Sequence, residues 1–324
     1  MSLPATRPRK LIVHGPAVEL ECAVPALHRE LGRLLSVFAV SEWPAGFVPA
    51  VGVVRPYDEV EVVRRLPATA RALHKPGDLM ELYEEDERFW IIDDRWGMCE
   101  INVLRGQWRS WIVPRGKLDP VRTVEMAVLW PMAQVLRAKG INLLPAASVS
   151  RDGWGLLLIS PFGLEPELTT LLNAGFRVVG QRWTAIREDD GRLAMLHVPG
   201  QVQRYGSPQL RALTGDAGLW IDLSQRPGSS QHHAFCDSVL VMSAGRRPRA
   251  HLRELTTLDA TNRLRRAWPI AELHPSGRRG QLPRKLAEHC RCCELQLSRD
   301  PRDMLALLNS LRYAPRVTRA SAVA

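Results

Sequence analysis

The chain has 324 residues, of which 45% are hydrophobic and 24% are charged, and its formal net charge is +10 at pH 7. This composition predicts a globular α/β protein and excludes a fibrous or disordered one. No apolar run reaches the roughly 18 residues that a membrane-spanning helix needs, and the basic start precedes only a short apolar segment, so we expect a cytoplasmic protein with no signal peptide and no membrane association.

The positive charge is concentrated in one segment. Residues 241–324 contain 17 Lys and Arg against 7 Asp and Glu, whereas the preceding 240 residues balance. Such a segment is typical of a surface that meets an acidic partner, a nucleotide or a nucleic acid, or of an arginine-rich solvated surface. The cysteines form no disulfide framework for a chain of this length, which favours a reducing compartment. They are Cys22, Cys99, Cys236, Cys290, Cys292 and Cys293.

Residues 1–118 are predicted to form an N-terminal α+β domain. Apolar residues at helical spacing indicate a helix over 24–38. Strands are predicted at 59–63, 79–83, 89–92, 99–104 and 108–113. Short polar turns separate the last four, which is typical of an antiparallel meander. Trp90, Trp108 and Trp111 suit a half-buried face of that sheet.

A long helix is predicted to follow. Asp119 can cap its first N–H groups and Pro120 suits its first position. The helix should end near Lys139, before Gly140, and Pro131 should kink it. We place the second domain at 119–313, and we predict a disordered tail over 314–324.

The second domain begins with a predicted hairpin around the turn 151–153, whose second strand is the apolar run 156–159. A loop and a helix follow, and Gly175 closes the helix. Further strands are expected at 176–180, 183–188 and 193–198, and then a long loop rich in Gly, Pro, Ser and Gln over 199–235, with one short strand at 219–223. A strand at 238–245 and three helices, which end near residues 268, 290 and 313, complete a mixed α/β pattern.

The loop after residue 159 has the outline of a phosphate-binding loop without its chemical groups. A working loop has the form G-x-x-x-x-G-K-[ST]. The corresponding residues here are Ser160, Pro161, Phe162, Gly163, Leu164 and Glu165. Prolines 161 and 166 have no N–H to donate, and glutamates 165 and 167 place negative charge at the helix N-terminus. We therefore expect this degenerate loop to repel a phosphate.

The order of these features is similar to that of the catalytic domain of the HPr kinase/phosphorylase family, especially its HPr-kinase-related branch. The resemblance covers about 120–313 and rests on the stretch 144–149, the hairpin, the loop, the helix and the stretch 174–183. It implies a P-loop domain with a mixed sheet and C-terminal helices. The family histidine falls on Pro145, and the two aspartates, a general base and a metal ligand, fall on Gln181 and Arg182.

These substitutions predict a catalytically degenerate pseudoenzyme that binds a protein or peptide, with an acidic partner and a homo-oligomer as expectations and with no cofactor or metal. One alternative is an unconventional Ser/Thr phosphotransferase that uses ATP and Mg²⁺, with Asp189 or His197 in place of the lost groups. The other, least favoured, is nucleic-acid binding by the basic C-terminal segment.

Two smaller features stay open in the sequence. Cys290, Cys292 and Cys293 could join residues 232, 233 and 236 in an irregular zinc site, or could be partly buried thiols. Arg182 could bind a phosphate or carboxylate without a metal, or could lie in a surface ion pair.

Overall fold

The computed structural model describes residues 8–57, 67–74, 80–93, 96–113, 119–160, 164–198, 202–204, 219–221, 230–267, 281–298, 300 and 302–313. The chain divides into two compact units, the first up to Leu143 and the second from Leu144 onwards. Both contain helices and sheets, so the predicted α/β class is confirmed. No helix in these ranges is long and apolar enough to cross a membrane.

The first unit is built on a mixed sheet with eight strands among the described residues, in the order β1-β2-β3-β8-β7-β6-β5-β4. Its elements are β1 (Arg9–Ile12), β2 (Ala17–Cys22), α1 (Pro25–Leu35), β3 (Ala50–Pro56), β4 (Arg71–His74), β5 (Met80–Glu85), β6 (Arg88–Asp93), β7 (Gly97–Asn102) and β8 (Gln107–Ile112). The predicted meander is confirmed, because β5 to β8 pair antiparallel in sequence. The sheet is mixed because β2, β3 and β8 are parallel.

The apolar pattern of the first unit explains its core. Leu27, Leu31 and Leu34 recur on one face of α1 and are buried, as an amphipathic helix requires. The three tryptophans predicted to cover a half-buried face are more deeply buried than expected, none being more than 3% exposed. The strand predicted at 59–63 lies outside the described residues.

The long helix begins as predicted and is interrupted near its proline. The Asp119 carboxylate accepts hydrogen bonds from the N–H groups of Val121 and Arg122 at 3.0 and 3.3 Å. The helix consists of α2 (Pro120–Val124), a π-helical turn (Glu125–Leu129) and α3 (Trp130–Arg137). The disturbance that a proline predicts in a helix thus takes the form of a π turn.

One side chain of the meander compensates for Pro131. A proline at this position cannot donate to the carbonyl four residues earlier, which belongs to Ala127. The Ser110 hydroxyl, from β8, donates to that carbonyl at 2.6 Å instead. Because this bond joins the helix to the first sheet, the helix is part of the first unit. The predicted boundary after residue 118 therefore differs from the division after Leu143.

The second unit contains a six-stranded sheet in the order β12-β10-β11-β18-β20-β19 and a four-stranded sheet in the order β17-β14-β13-β9. The strands are β9 (Asn142–Leu144), β10 (Ala147–Arg151), β11 (Trp154–Ile159), β12 (Arg177–Gly180), β13 (Thr184–Asp189), β14 (Arg192–Leu196), β15 (Val202–Arg204), β16 (Leu219–Ile221), β17 (His233–Phe235), β18 (Ser238–Arg247), β19 (His251–Glu254) and β20 (Arg291–Ser298). The helices are α4 (Glu165–Asn173), α5 (Thr257–Ala267), α6 (Gln281–His289) and α7 (Arg302–Tyr313). The short strands β15 and β16 pair with each other.

Local signals in the second unit are confirmed. The predicted hairpin joins β10 to β11 through Asp152 and Gly153, both with positive φ, as a two-residue primed turn requires. Thr256 caps α5. Its hydroxyl accepts a hydrogen bond from the Asp259 N–H at 3.1 Å and donates to the Asp259 carboxylate at 2.8 Å. Asp300 caps α7 through the N–H of Arg302 at 2.9 Å. The predicted tail over 314–324 lies outside the described residues.

Candidate functional site

The strand directions of the six-stranded sheet bring the candidate residues to one edge. β11, β18 and β20 are parallel. β10 is antiparallel to both β11 and β12, so β12 ends where β11 ends and β10 begins there. We call this the carboxyl edge: the ends of β11, β12, β18 and β20 and the start of β10. Pro145, Ser160 and Gln181 therefore share the carboxyl edge, where open α/β sheets commonly bind ligands.

The helix that follows β11 in the chain, α4, carries a buried acid in its first turn. Ser160 and Leu164 are described, whereas residues 161–163 and the side chains of residues 165 and 166 lie outside the described set. Leu164 gives α4 no side-chain cap, and its side chain joins the apolar core. Glu167 is only 1% exposed. An acidic side chain in the first turn complements the positive end of the helix and disfavours an anionic ligand there.

A tight turn after β12 carries the two residues that the resemblance aligns with aspartates, and it buries one and exposes the other. A Cβ on Gly180 would lie 2.3 Å from the Trp183 carbonyl oxygen, so only glycine fits. Beyond it, Gln181 is 6% exposed and Arg182 is exposed. An amide accepts no proton at neutral pH, and a guanidinium stays protonated and repels a cation. Neither side chain can act as the base or the magnesium ligand that the resemblance implies for those positions.

Further polar groups are buried at the carboxyl edge. The hydroxyls of Ser148 and Thr184 are 2.8 Å apart. Gln181 Oε1, Ser243 Oγ and Gln296 Oε1 are buried without a hydrogen-bond partner in the described structure. Ser243 and Gln296 are register neighbours on β18 and β20. Sequence reasoning missed both, although each lies between two apolar residues of its strand, which was the available signal.

Of the two groups considered as substitutes, the structure places one near this edge. Asp189 lies at the turn of the β13–β14 hairpin, where hydrogen bonds from Arg187 lower the pKa of its carboxyl. His197 lies at the other end of that hairpin, because Leu196 is already opposite Ala185. Its Nδ1 is 2.7 Å from the Val179 carbonyl oxygen in β12.

The thiols that suggested zinc collect at the opposite edge of the sheet, where β18 and β20 begin. The Cys290 thiol donates to the Cys236 carbonyl at 3.1 Å. The hydrogen bond between the thiols of Cys290 and Cys236, together with burial, raises the pKa of Cys236. Burial raises the pKa of Cys293 to about 11. In the ranges that the structure describes, no three His, Cys, Asp or Glu side chains are arranged to hold a metal ion.

The basic segment contains an ion triad centred on the buried Glu294. The carboxylate of Glu294, in β20, accepts from Arg253 of β19 and from Arg263 of α5, each at 2.7 Å. Burial alone would raise the pKa of Glu294, but the hydrogen bond from Arg253 and the charge of Arg263 outweigh it and lower the pKa. The triad fixes the outer strand of the sheet and α5 to β20.

Comparison with known proteins gives a distant structural relation. No protein-family model and no curated protein matches the sequence. Among solved structures, the chain is similar to the Hpr(Ser) kinase/phosphatase from Coxiella burnetii, with 11% identity and a TM-score of 0.32. The match covers 53% of this chain and 96% of that one. The relation is a distant one. At this identity and TM-score it assigns no activity to the chain.

Proposed function

We propose that this chain does not transfer phosphate from ATP and instead binds a protein or peptide, as a catalytically degenerate relative of HPr-kinase-like proteins. The observation that carries the proposal is Glu167. It places a buried carboxylate in the first turn of α4, where a phosphate-binding helix presents only N–H groups to its ligand.

The loss of rate expected when the groups for phosphoryl transfer are removed supports the same conclusion. Removal of a general base typically costs about 10²–10⁴-fold in rate, and removal of one charge-stabilising donor costs about 10²–10³-fold. Such losses do not add in full. Even so, the residues at the family positions, Pro145, Gln181 and Arg182, replace a histidine, a base and a metal ligand together, which leaves little for phosphoryl transfer to use.

The partner that fits the surface is acidic. Exposed basic side chains lie on and beside the outer strand β19 and on α5: Arg249, His251, Arg253 and Arg266. Charge complementarity steers association and sets orientation more than it sets affinity. We therefore expect binding of an acidic peptide that weakens with salt, and we expect no cofactor. A homo-oligomer belongs to the same proposal and is measured by light scattering of the purified protein.

The enzymatic half is tested by transfer chemistry. Purified protein is incubated with labelled ATP, Mg²⁺ and small acceptor proteins that carry Ser and Thr. We expect no labelled product above the level of a heat-unfolded sample. Labelling that depends on Mg²⁺ and is lost on His197→Ala would overturn the proposal in favour of the phosphotransferase alternative, since His197 lies beside the end of β12.

The binding half is tested by charge reversal. Anisotropy of a fluorescent glutamate-rich peptide is measured with wild type and with Arg249→Glu/Arg266→Glu, which reverses the charge of two exposed arginines. Arg105→Glu reverses the charge of one exposed arginine in the first unit and serves as the control. We expect loss of binding only in the double variant. Equal binding in all three proteins, or tighter binding of a nucleic acid of matched charge, contradicts the acidic-peptide proposal.

A further inference from the structure

Two histidines face each other across neighbouring strands at the end of the four-stranded sheet. β14 and β17 are antiparallel, with Leu196 opposite His233, so the next cross-strand pair is His197 and His232. The N–H of His197 donates to the His232 carbonyl at 2.9 Å. The two ring centroids are 6.0 Å apart, and the ring planes lie at 86°. Directly opposed residues present their side chains on the same face of a sheet.

The hydrogen bond to β12 defines the chemistry of one ring. A carbonyl oxygen can only accept, so the 2.7 Å contact with Val179 assigns the proton of neutral His197 to Nδ1 and the lone pair to Nε2. A histidine that binds a metal commonly donates its other ring N–H to a backbone carbonyl or a carboxylate. That bond orients the ring and raises the basicity of the ligating nitrogen. His197 is thus held in the arrangement of a metal ligand before any metal binds.

We propose that His197 and His232 form a binding site for a divalent transition-metal ion, with water completing the coordination. Imidazole nitrogen suits Ni²⁺, Co²⁺ and Zn²⁺ better than it suits Mg²⁺ or Ca²⁺, which prefer oxygen. Within the described part of the chain the site consists of these two ligands, with no third His, Cys, Asp or Glu arranged beside them. A bound ion would fix the end of the β14–β17 pair beside β12.

The test uses the full chain after treatment with EDTA. Calorimetric titration with Ni²⁺ and then Co²⁺ should give one ion per chain, with Ni²⁺ the tighter, as the usual order of divalent metals requires. We expect His197→Ala and His232→Ala each to weaken binding by at least the roughly 10-fold that loss of an outer-shell partner typically causes.

His233→Ala is the matched control. His233 is the next residue along the chain and therefore points to the other face of the sheet, where its ring contacts Phe235 at 5.7 Å. We expect it to bind Ni²⁺ as wild type does. His232 is exposed, so His232→Ala decides the matter even if His197→Ala fails to fold. Unchanged Ni²⁺ affinity in His232→Ala, or an equal loss in His233→Ala, overturns the proposal.

Discussion

The meander of the first unit and the carboxyl edge of the second unit differ in what they bury. One meander cluster contains Trp90, Met98 and Trp111, all at most 1% exposed and packed against apolar neighbours. The carboxyl edge buries Glu167 and Gln181. Burial of a polar group destabilises the folded state unless the group is hydrogen-bonded, whereas burial of an apolar group stabilises it. This meander cluster is therefore explained by apolar burial, although the same strands also bury Asp93 and Ser110, whereas the carboxyl edge buries polar groups that such packing does not require.

The strongest way to break the six-stranded sheet without changing its polar edge is Gly155→Ala in β11. The new Cβ would lie 1.9 Å from the Phe235 carbonyl oxygen, and backbone cannot move aside as a flexible side chain can. We expect a loss of about 3 kcal/mol or more in the free energy of unfolding, at the upper end of overpacking costs. Urea unfolding measures it. A loss below about 1 kcal/mol would contradict this packing.

In the first unit, Ser110→Ala tests the contact between the meander and the helix. The variant leaves the Ala127 carbonyl without its 2.6 Å donor. A buried unsatisfied acceptor costs about 1–3 kcal/mol. Pro131→Ala restores an N–H that can reach the same carbonyl, so Ser110→Ala should cost less in that background. Equal costs in the two backgrounds, measured in a double-mutant cycle, would show that Pro131 is not the reason for the contact.

A smaller effect is expected for Glu294→Gln at the ion triad. The folded-state pKa of Glu294 is lowered, so its contribution is present above the unfolded-state pKa of about 4.3 and is lost as the pH falls through the folded value. Because both arginines are partly exposed, we expect a cost of only about 1 kcal/mol at pH 7. The difference from wild type should shrink below about pH 4. A difference that is constant from pH 7 to pH 3 would be inconsistent with the ion triad.

The smallest effect is a gain, from Gly32→Ala in α1. A Cβ there meets only the far end of the Arg9 side chain, at 3.9 Å. Alanine lowers the entropy of the unfolded chain, and we expect about 0.5–1 kcal/mol of added stability. Thermal unfolding measures this as a higher Tm. Destabilisation would mean that α1 packs more tightly than its contacts show.

Features that depend on neighbouring residues were predictable. The caps at Asp119, Thr256 and Asp300 and the turn at Asp152 and Gly153 follow from short-range chemistry, and all are present. The meander was predictable because its turns are short. The strands β2 and β3 were missed because they pair in parallel with each other and with β8, and contacts between segments so distant in the chain leave no local signal. The four-residue strands β1 and β4, which pair antiparallel with β2 and β5, were also missed.

The site was predictable only in outline. Pro145, Ser160 and Gln181 were singled out in the sequence, but that they share one edge follows from strand directions. The burial of Glu167 depends on how α4 packs. The pairing of His197 with His232 depends on a register between strands 35 residues apart in the chain. The contact between Ser110 and Ala127, which ties the helix after Asp119 to β8, is not local and leaves no signal in the sequence.

Equilibrium dialysis of Mg·ATP against wild type and Glu167→Gln tests the central claim most directly, with the exposed Glu188→Gln as control. We expect no saturable binding to wild type or to the control up to about 1 mM, a limit near −4.1 kcal/mol. Any gain should appear in Glu167→Gln, since that variant removes the buried negative charge. Saturable, Mg²⁺-dependent binding to wild type in the micromolar range would contradict the account.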